Sequence, residues 1–80
     1  MPILYVKSGC AFCAKVLQAA EELGVSLDVR NVADPGITEE LIAHGGKRQM
    51  PYLIDEEHNV AMYESDDIVS YLHETFTPKQ

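Results

Sequence analysis

The sequence predicts a small mixed-sheet α/β domain with strand order 2-1-3-4 and three helices, the elements running βαβ, helix, hairpin, helix. Three observations carry that reading: two short runs of consecutive apolar residues, one segment of apolar–polar alternation, and two apolar stripes at helical spacing. Ile3-Leu4-Tyr5-Val6 is the first continuous run, as in a strand covered on both faces. Val16, Leu17, Ala20 and Leu23 then repeat at helical spacing, and Gly24 supplies a stop signal. Val25, Leu27 and Val29 alternate with Ser26, Asp28 and Arg30, which predicts a half-buried strand near a sheet edge. A short helix is expected from about Ile37 to His44, capped by Thr38, stapled by Ile37 and Ile42, and ended by Gly45-Gly46.

Tyr52-Leu53-Ile54 reads as a second doubly covered strand, Asp55 to Asn59 as a hairpin loop, and Val60-Ala61-Met62 as the fourth strand. Ser65 then offers an N-cap, Asp66 and Asp67 suit the positive end of a helix, and Ile68, Leu72 and Phe76 make one apolar stripe. A helical crossover makes the first two strands parallel, and a short loop makes the last two antiparallel. The two most apolar strands belong at the centre, which sets the order.

Composition bounds the function. Eighty residues are read as a single domain, 1–80, near the lower limit for a core without staples. No apolar run approaches the roughly 20 residues that cross a bilayer, and Met1 leads into the first strand without the features of a signal peptide. The net charge is −7, whereas phosphate contacts need clustered Lys and Arg, so nucleic-acid and membrane partners are not expected. A cytoplasmic monomer is the expectation. Asp55-Glu56-Glu57 read as a solvated hairpin tip, and His44, His58 and His73 as surface residues.

Cys10 and Cys13 enclose only Ala11 and Phe12. So small a loop stabilises little as a cross-link, on the order of 2 kcal/mol. A tight pair in a reducing compartment points instead to redox or metal chemistry. The pair falls where the first strand gives way to the first helix, and residues i and i+3 of a helix lie one above the other. Cys10 then sits at the helix N-terminus, where unpaired N–H groups favour an anion, and Lys7 adds a nearby positive charge. Thiols so placed have pKa values of roughly 3.5–7.5 against about 8.5 for a free cysteine. Cys10 is the expected attacking thiolate, and Cys13 the more buried resolving thiol. Half of a zinc site and a pair of inert core cysteines are the alternatives. The three histidines are widely separated and lack the paired spacing of a zinc finger.

Tyr5-Val6-Lys7-Ser8-Gly9-Cys10-Ala11-Phe12-Cys13 resembles the active-site entry of glutaredoxins, members of the thioredoxin-fold superfamily. Gln49-Met50-Pro51 is similar to that family's Thr-Val-Pro segment, whose proline is cis, and Tyr63-Glu64-Ser65-Asp66-Asp67 to the stretch that opens its last helix. The resemblance covers nearly the whole chain, with the three motifs in order and at suitable distances. The resemblance implies a glutathione site. Lys7, Lys47 and Arg48 are then placed to bind the glycine carboxylate, and Met50 before Pro51 to pair its backbone with the tripeptide's cysteine. Ser65 and Asp66 match positions that hold the γ-glutamyl end, and Phe12 replaces the usual tyrosine of the groove.

Two departures bear on the activity. Ala11 stands where dithiol glutaredoxins usually have proline, and small residues there often accompany a bridging [2Fe–2S] cluster held with glutathione between two subunits. Glu64-Ser65 also looks like the glutathione-binding motif of glutathione transferase N-terminal domains, although a complete transferase, with its additional helical domain, is not expected of 80 residues. The resemblance therefore implies a glutathione-dependent thiol–disulfide oxidoreductase. Cys10 would attack glutathionylated proteins or small disulfides, with glutathione as co-substrate and Cys13 resolving protein disulfides. Its rivals are a [2Fe–2S] carrier ligated by Cys10, and a redoxin served by thioredoxin reductase.

Overall fold

The computed structural model describes residues 1–76. The chain runs through β1 (Ile3–Val6), α1 (Ala11–Leu23), β2 (Asp28–Asn31), α2 (Ile37–Gly45), β3 (Tyr52–Asp55), a 3₁₀ turn (Glu56–His58), β4 (Val60–Met62) and α3 (Ser65–Phe76). The strands form one sheet in the predicted order, β2-β1-β3-β4. β1 pairs parallel with β2, setting Leu4 beside Val29, and antiparallel with β3, setting Tyr5 opposite Tyr52. β3 and β4 close an antiparallel hairpin. No helix among the described residues is long and apolar enough to cross a membrane.

Alternation along β1 explains its unbroken apolar character. Leu4 and Val6 face α1 and α3, where they join Cys13, Val16, Ala20, Leu53, Ile68 and Leu72 in the main core. Tyr5 points to the opposite face and forms a smaller core with Leu41 and Tyr52 under α2. Each large apolar side chain fully buried in these layers contributes about 1.5–3 kcal/mol. α1 begins after Cys10, whose backbone is extended. It ends at Gly24, whose N–H returns to the carbonyls of Ala20 and Glu21 at φ 71°, a conformation that side chains disfavour.

Local details differ from expectation where tertiary contacts take over. Thr38 does not cap α2: Gly36 precedes the helix with no side-chain bond, and the Thr38 hydroxyl donates to the Val32 carbonyl at 3.1 Å. Ile37 is the first helical residue and packs into the smaller core while Ile42 is exposed, so they do not occupy staple positions. The alternating segment becomes β-structure only from Asp28. Val25 and Leu27 pack on the main core, but Val29 is exposed because β2 is the sheet edge. Ser65 is the first residue of α3 rather than its cap, since the Ile68 N–H bonds the Glu64 carbonyl.

Asp55 is the clearest correction. It ends β3 and is buried, not part of a solvated tip, whereas Glu56 and Glu57 remain exposed. The Tyr71 hydroxyl donates to Asp55 Oδ2 at 2.5 Å, and His58 Nδ1 lies 2.7 Å from the same oxygen. Burial pushes this carboxyl up, but the hydrogen bonds from Tyr71 and His58 outweigh it and hold it below its ordinary value. His44, His58 and His73 are exposed, as predicted. On the opposite face the Tyr5 hydroxyl donates to Glu40 Oε1 at 2.6 Å, and Arg30 bridges Asp28 and Glu40. These bonds fasten α2 to the sheet and so set where the segment leading into β3 begins.

Candidate active site

The turn from β1 into α1 delivers Cys10 half-buried at the helix N-terminus and Cys13 inside the main core, 2% exposed. The Cys13 N–H points at Cys10 Sγ across 3.1 Å. Their sulfurs are joined as a disulfide, with Cα atoms 5.2 Å apart. Only the outer sulfur is accessible, so a nucleophile or a reductant meets Cys10 first. A depression of about 380 Å³ lies against the pair, with Val6 and Leu17 among its walls and Lys7 at its side.

A second concavity of about 330 Å³ opens between the start of α1, the segment before β3 and the start of α3. Phe12, Met50, Pro51, Ser65 and Asp66, all singled out in the sequence, line it together. The Met50–Pro51 peptide bond is cis, as the resemblance implied. Phe12 is 65% exposed, so it forms an open wall rather than a piece of core. Gln49, Tyr63 and Glu64 complete the lining. Gln49 and Tyr63 were missed as site residues, although each opens a motif already noted.

The basic residues are placed differently. Lys7 lies by the disulfide and not in the groove. Lys47 and Arg48 are exposed on the segment after α2, outside the groove lining, and Lys47 Nζ stands 5.0 Å from the centre of the Tyr63 ring. Asp66 is paired with Lys15 of α1, which ties α3 to α1 beside the groove. Tyr63 in turn rests on Tyr52, ring centroids 4.3 Å apart. Burial, and then the neighbouring Tyr63, push the Tyr52 phenol above its ordinary value. A reachable disulfide sulfur therefore stands near an open groove whose polar groups include Gln49, Glu64, Ser65 and Asp66.

A family model described as "Glutathione S-transferase, N-terminal domain" matches residues 4–80. The chain belongs to this family. Among solved structures it is similar to a delta-class glutathione transferase of Nilaparvata lugens, at 29% identity and TM-score 0.80 over 99% of this chain and 38% of that one. A glutathione S-transferase of the Antarctic clam Laternula elliptica gives 28% identity and TM-score 0.79, over 94% of this chain and 35% of that one. Glutathione S-transferase 1-6 from Anopheles dirus species B gives 28% and 0.78, over 96% and 37%. The chain thus spans less than two fifths of the length of each of these relatives. Among curated proteins none matches. The expected thioredoxin-fold superfamily holds; within it the family shown is that of the transferase N-terminal domains, to which Glu64-Ser65 pointed, rather than the glutaredoxins.

Proposed function

We propose that this chain binds glutathione in the groove and exchanges disulfides with it through Cys10. One observation carries the reading: the Cys10–Cys13 pair stands at the N-terminus of α1, its outer sulfur accessible and its inner sulfur one turn behind. Family membership supports glutathione as the ligand, and the groove residues supply complementary chemistry. Asp66 suits the ammonium of the γ-glutamyl end, and Ser65 at the start of α3 suits its carboxylate. Met50 beside the cis proline suits the central cysteine, and the reading assigns the glycine carboxylate to Lys7, Lys47 and Arg48, of which Lys47 and Arg48 are exposed on the segment that leads to Met50.

In the exchange, Cys10 thiolate attacks the glutathionyl sulfur of a mixed disulfide. A Cys10–glutathione bond forms as the substrate's sulfur–sulfur bond breaks, and the departing thiolate takes a proton from water. A second glutathione, as thiolate, attacks the glutathionyl sulfur on Cys10. Oxidised glutathione leaves and Cys10 returns as thiolate, so one reduced glutathione is consumed and the substrate's mixed disulfide is exchanged for that of oxidised glutathione. With a protein disulfide, Cys13 thiolate attacks Cys10 instead and releases the reduced protein, leaving the Cys10–Cys13 disulfide for glutathione to open.

A second reading is favoured by the family match and by Glu64 and Ser65 in the groove: bound glutathione adds its own sulfur to an electrophile, and Cys10 serves only to orient it. Turnover of a glutathione mixed disulfide by the full chain, with reduced glutathione as reductant, separates the two. The exchange reading expects turnover that falls at least about a hundredfold in Cys10→Ser, because a hydroxyl is not ionised at neutral pH. Turnover unchanged in Cys10→Ser, or addition to an aryl halide without disulfide exchange, overturns it.

A further inference from the structure

We infer that Tyr63 is a positioning residue for the groove: it clamps the segment between α2 and β3 and holds Lys47 in place to meet an anionic end of the ligand. The inference rests on the glutathione reading above and goes beyond it, since that reading gives the Tyr63 side chain no role. Residues 46–50 form neither helix nor strand, yet they carry Gln49 and Met50 into the groove lining, with Lys47 and Arg48 exposed just before them. Tyr63, which follows β4 and packs on the sheet face that α2 covers, supplies what regular hydrogen bonding does not. Its hydroxyl accepts from the Lys47 N–H and donates to the Lys47 carbonyl, each at 3.2 Å. The ring face meanwhile stands under the Lys47 ammonium at 5.0 Å, within cation–π range.

The clamp has a rigid base. Tyr63 rests on Tyr52, which is buried and stacked in turn on the fully buried Tyr5. Gly45 makes the seat: a Cβ there would collide with the Tyr63 hydroxyl and come within 3.1 Å of the Tyr52 ring. Main chain, ammonium and ring are thereby fixed at once, so Lys47 has less rotamer freedom to lose when an anion arrives.

Tyr63→Phe is the test, because it keeps the ring on Tyr52 and removes only the hydroxyl, at a loop that stays solvated. In the full chain, amide hydrogen exchange at Lys47 should speed up about tenfold while exchange in β1 is unchanged. Calorimetry with reduced glutathione should show affinity weakened about five- to tenfold. Lys47→Met should weaken binding in the wild-type background and add little in the Tyr63→Phe background. Equal affinity of Tyr63→Phe and wild type, or strictly additive effects of the two substitutions, overturns the clamp and leaves the glutathione reading standing. Wild-type chain that does not bind glutathione overturns both.

Discussion

The main-chain N–H of Cys13 reaches Sγ of Cys10, so the outer sulfur sits on the donor end of the helix that carries the inner one. One turn of α1 thus provides both an electrostatic partner for a Cys10 thiolate and the thiol that resolves it. If the roles are so divided, reduced Cys13→Ser treated with oxidised glutathione accumulates one glutathionyl group on Cys10, seen by intact mass spectrometry. Wild type releases that group and re-forms its internal disulfide. A persistent adduct on wild type, or on Cys13 in Cys10→Ser, contradicts the division.

Gly45 lies in α2 without a left-handed backbone, where Gly→Ala ordinarily stabilises a helix by roughly 0.5–1 kcal/mol. The Tyr63 ring reverses the sign. Gly45→Ala is expected to destabilise by about 1–3 kcal/mol through overpacking against Tyr63 and Tyr52, measured by urea unfolding. A stabilised variant would show that the rings yield freely.

The Asp55 carboxyl, raised by burial but held lower overall by Tyr71 and His58, links stability to acid pH. A carboxyl lowered in the fold adds stability above its unfolded value, and that stability is lost as pH falls through the folded value. Unfolding free energy should therefore drop between about pH 5 and 2, more steeply in wild type than in Asp55→Asn. Glu40 acts in the same direction, its carboxyl lowered by the Tyr5 hydroxyl and then by Arg30. At neutral pH, Asp55→Asn should cost about 2–3 kcal/mol, since a buried bond to a charged group is lost.

Tyr5 and Tyr71 give the alkaline counterpart. Burial first, then the carboxylates of Glu40 and Asp55 respectively, push both phenols up to about 12. Their contribution is complete below the unfolded value of about 10 and vanishes as pH climbs through about 12. Tyrosinate absorbance at pH 11 should be lower in folded protein than in protein unfolded in urea. Equal absorbance would show that neither phenol is protected.

Much of this was legible in the residues. Ile3–Val6 and Tyr52–Ile54 needed cover on both faces, and the sheet supplies it with α1 and α3 on one side and α2 on the other. Phe12, Met50, Pro51, Ser65 and Asp66 came from three separated motifs and meet in one groove. Tyr63 was not legible as a clamp, because its partner Lys47 is sixteen positions away and the bonds run to main-chain atoms. Asp55 was misread for a similar reason: followed by Glu56 and Glu57 it looks solvated, and only Tyr71 from α3 makes its burial tolerable.

By itself the sequence determined the element order, the strand order and the site of the cysteine pair, because apolar periodicity and turn residues are local signals. The three-dimensional packing decided which carboxylate is inside, what Lys15 and Lys47 are tied to, and which residues wall the groove. Those outcomes depend on side chains from distant segments competing for the same polar atoms, and no spacing along a chain records that competition.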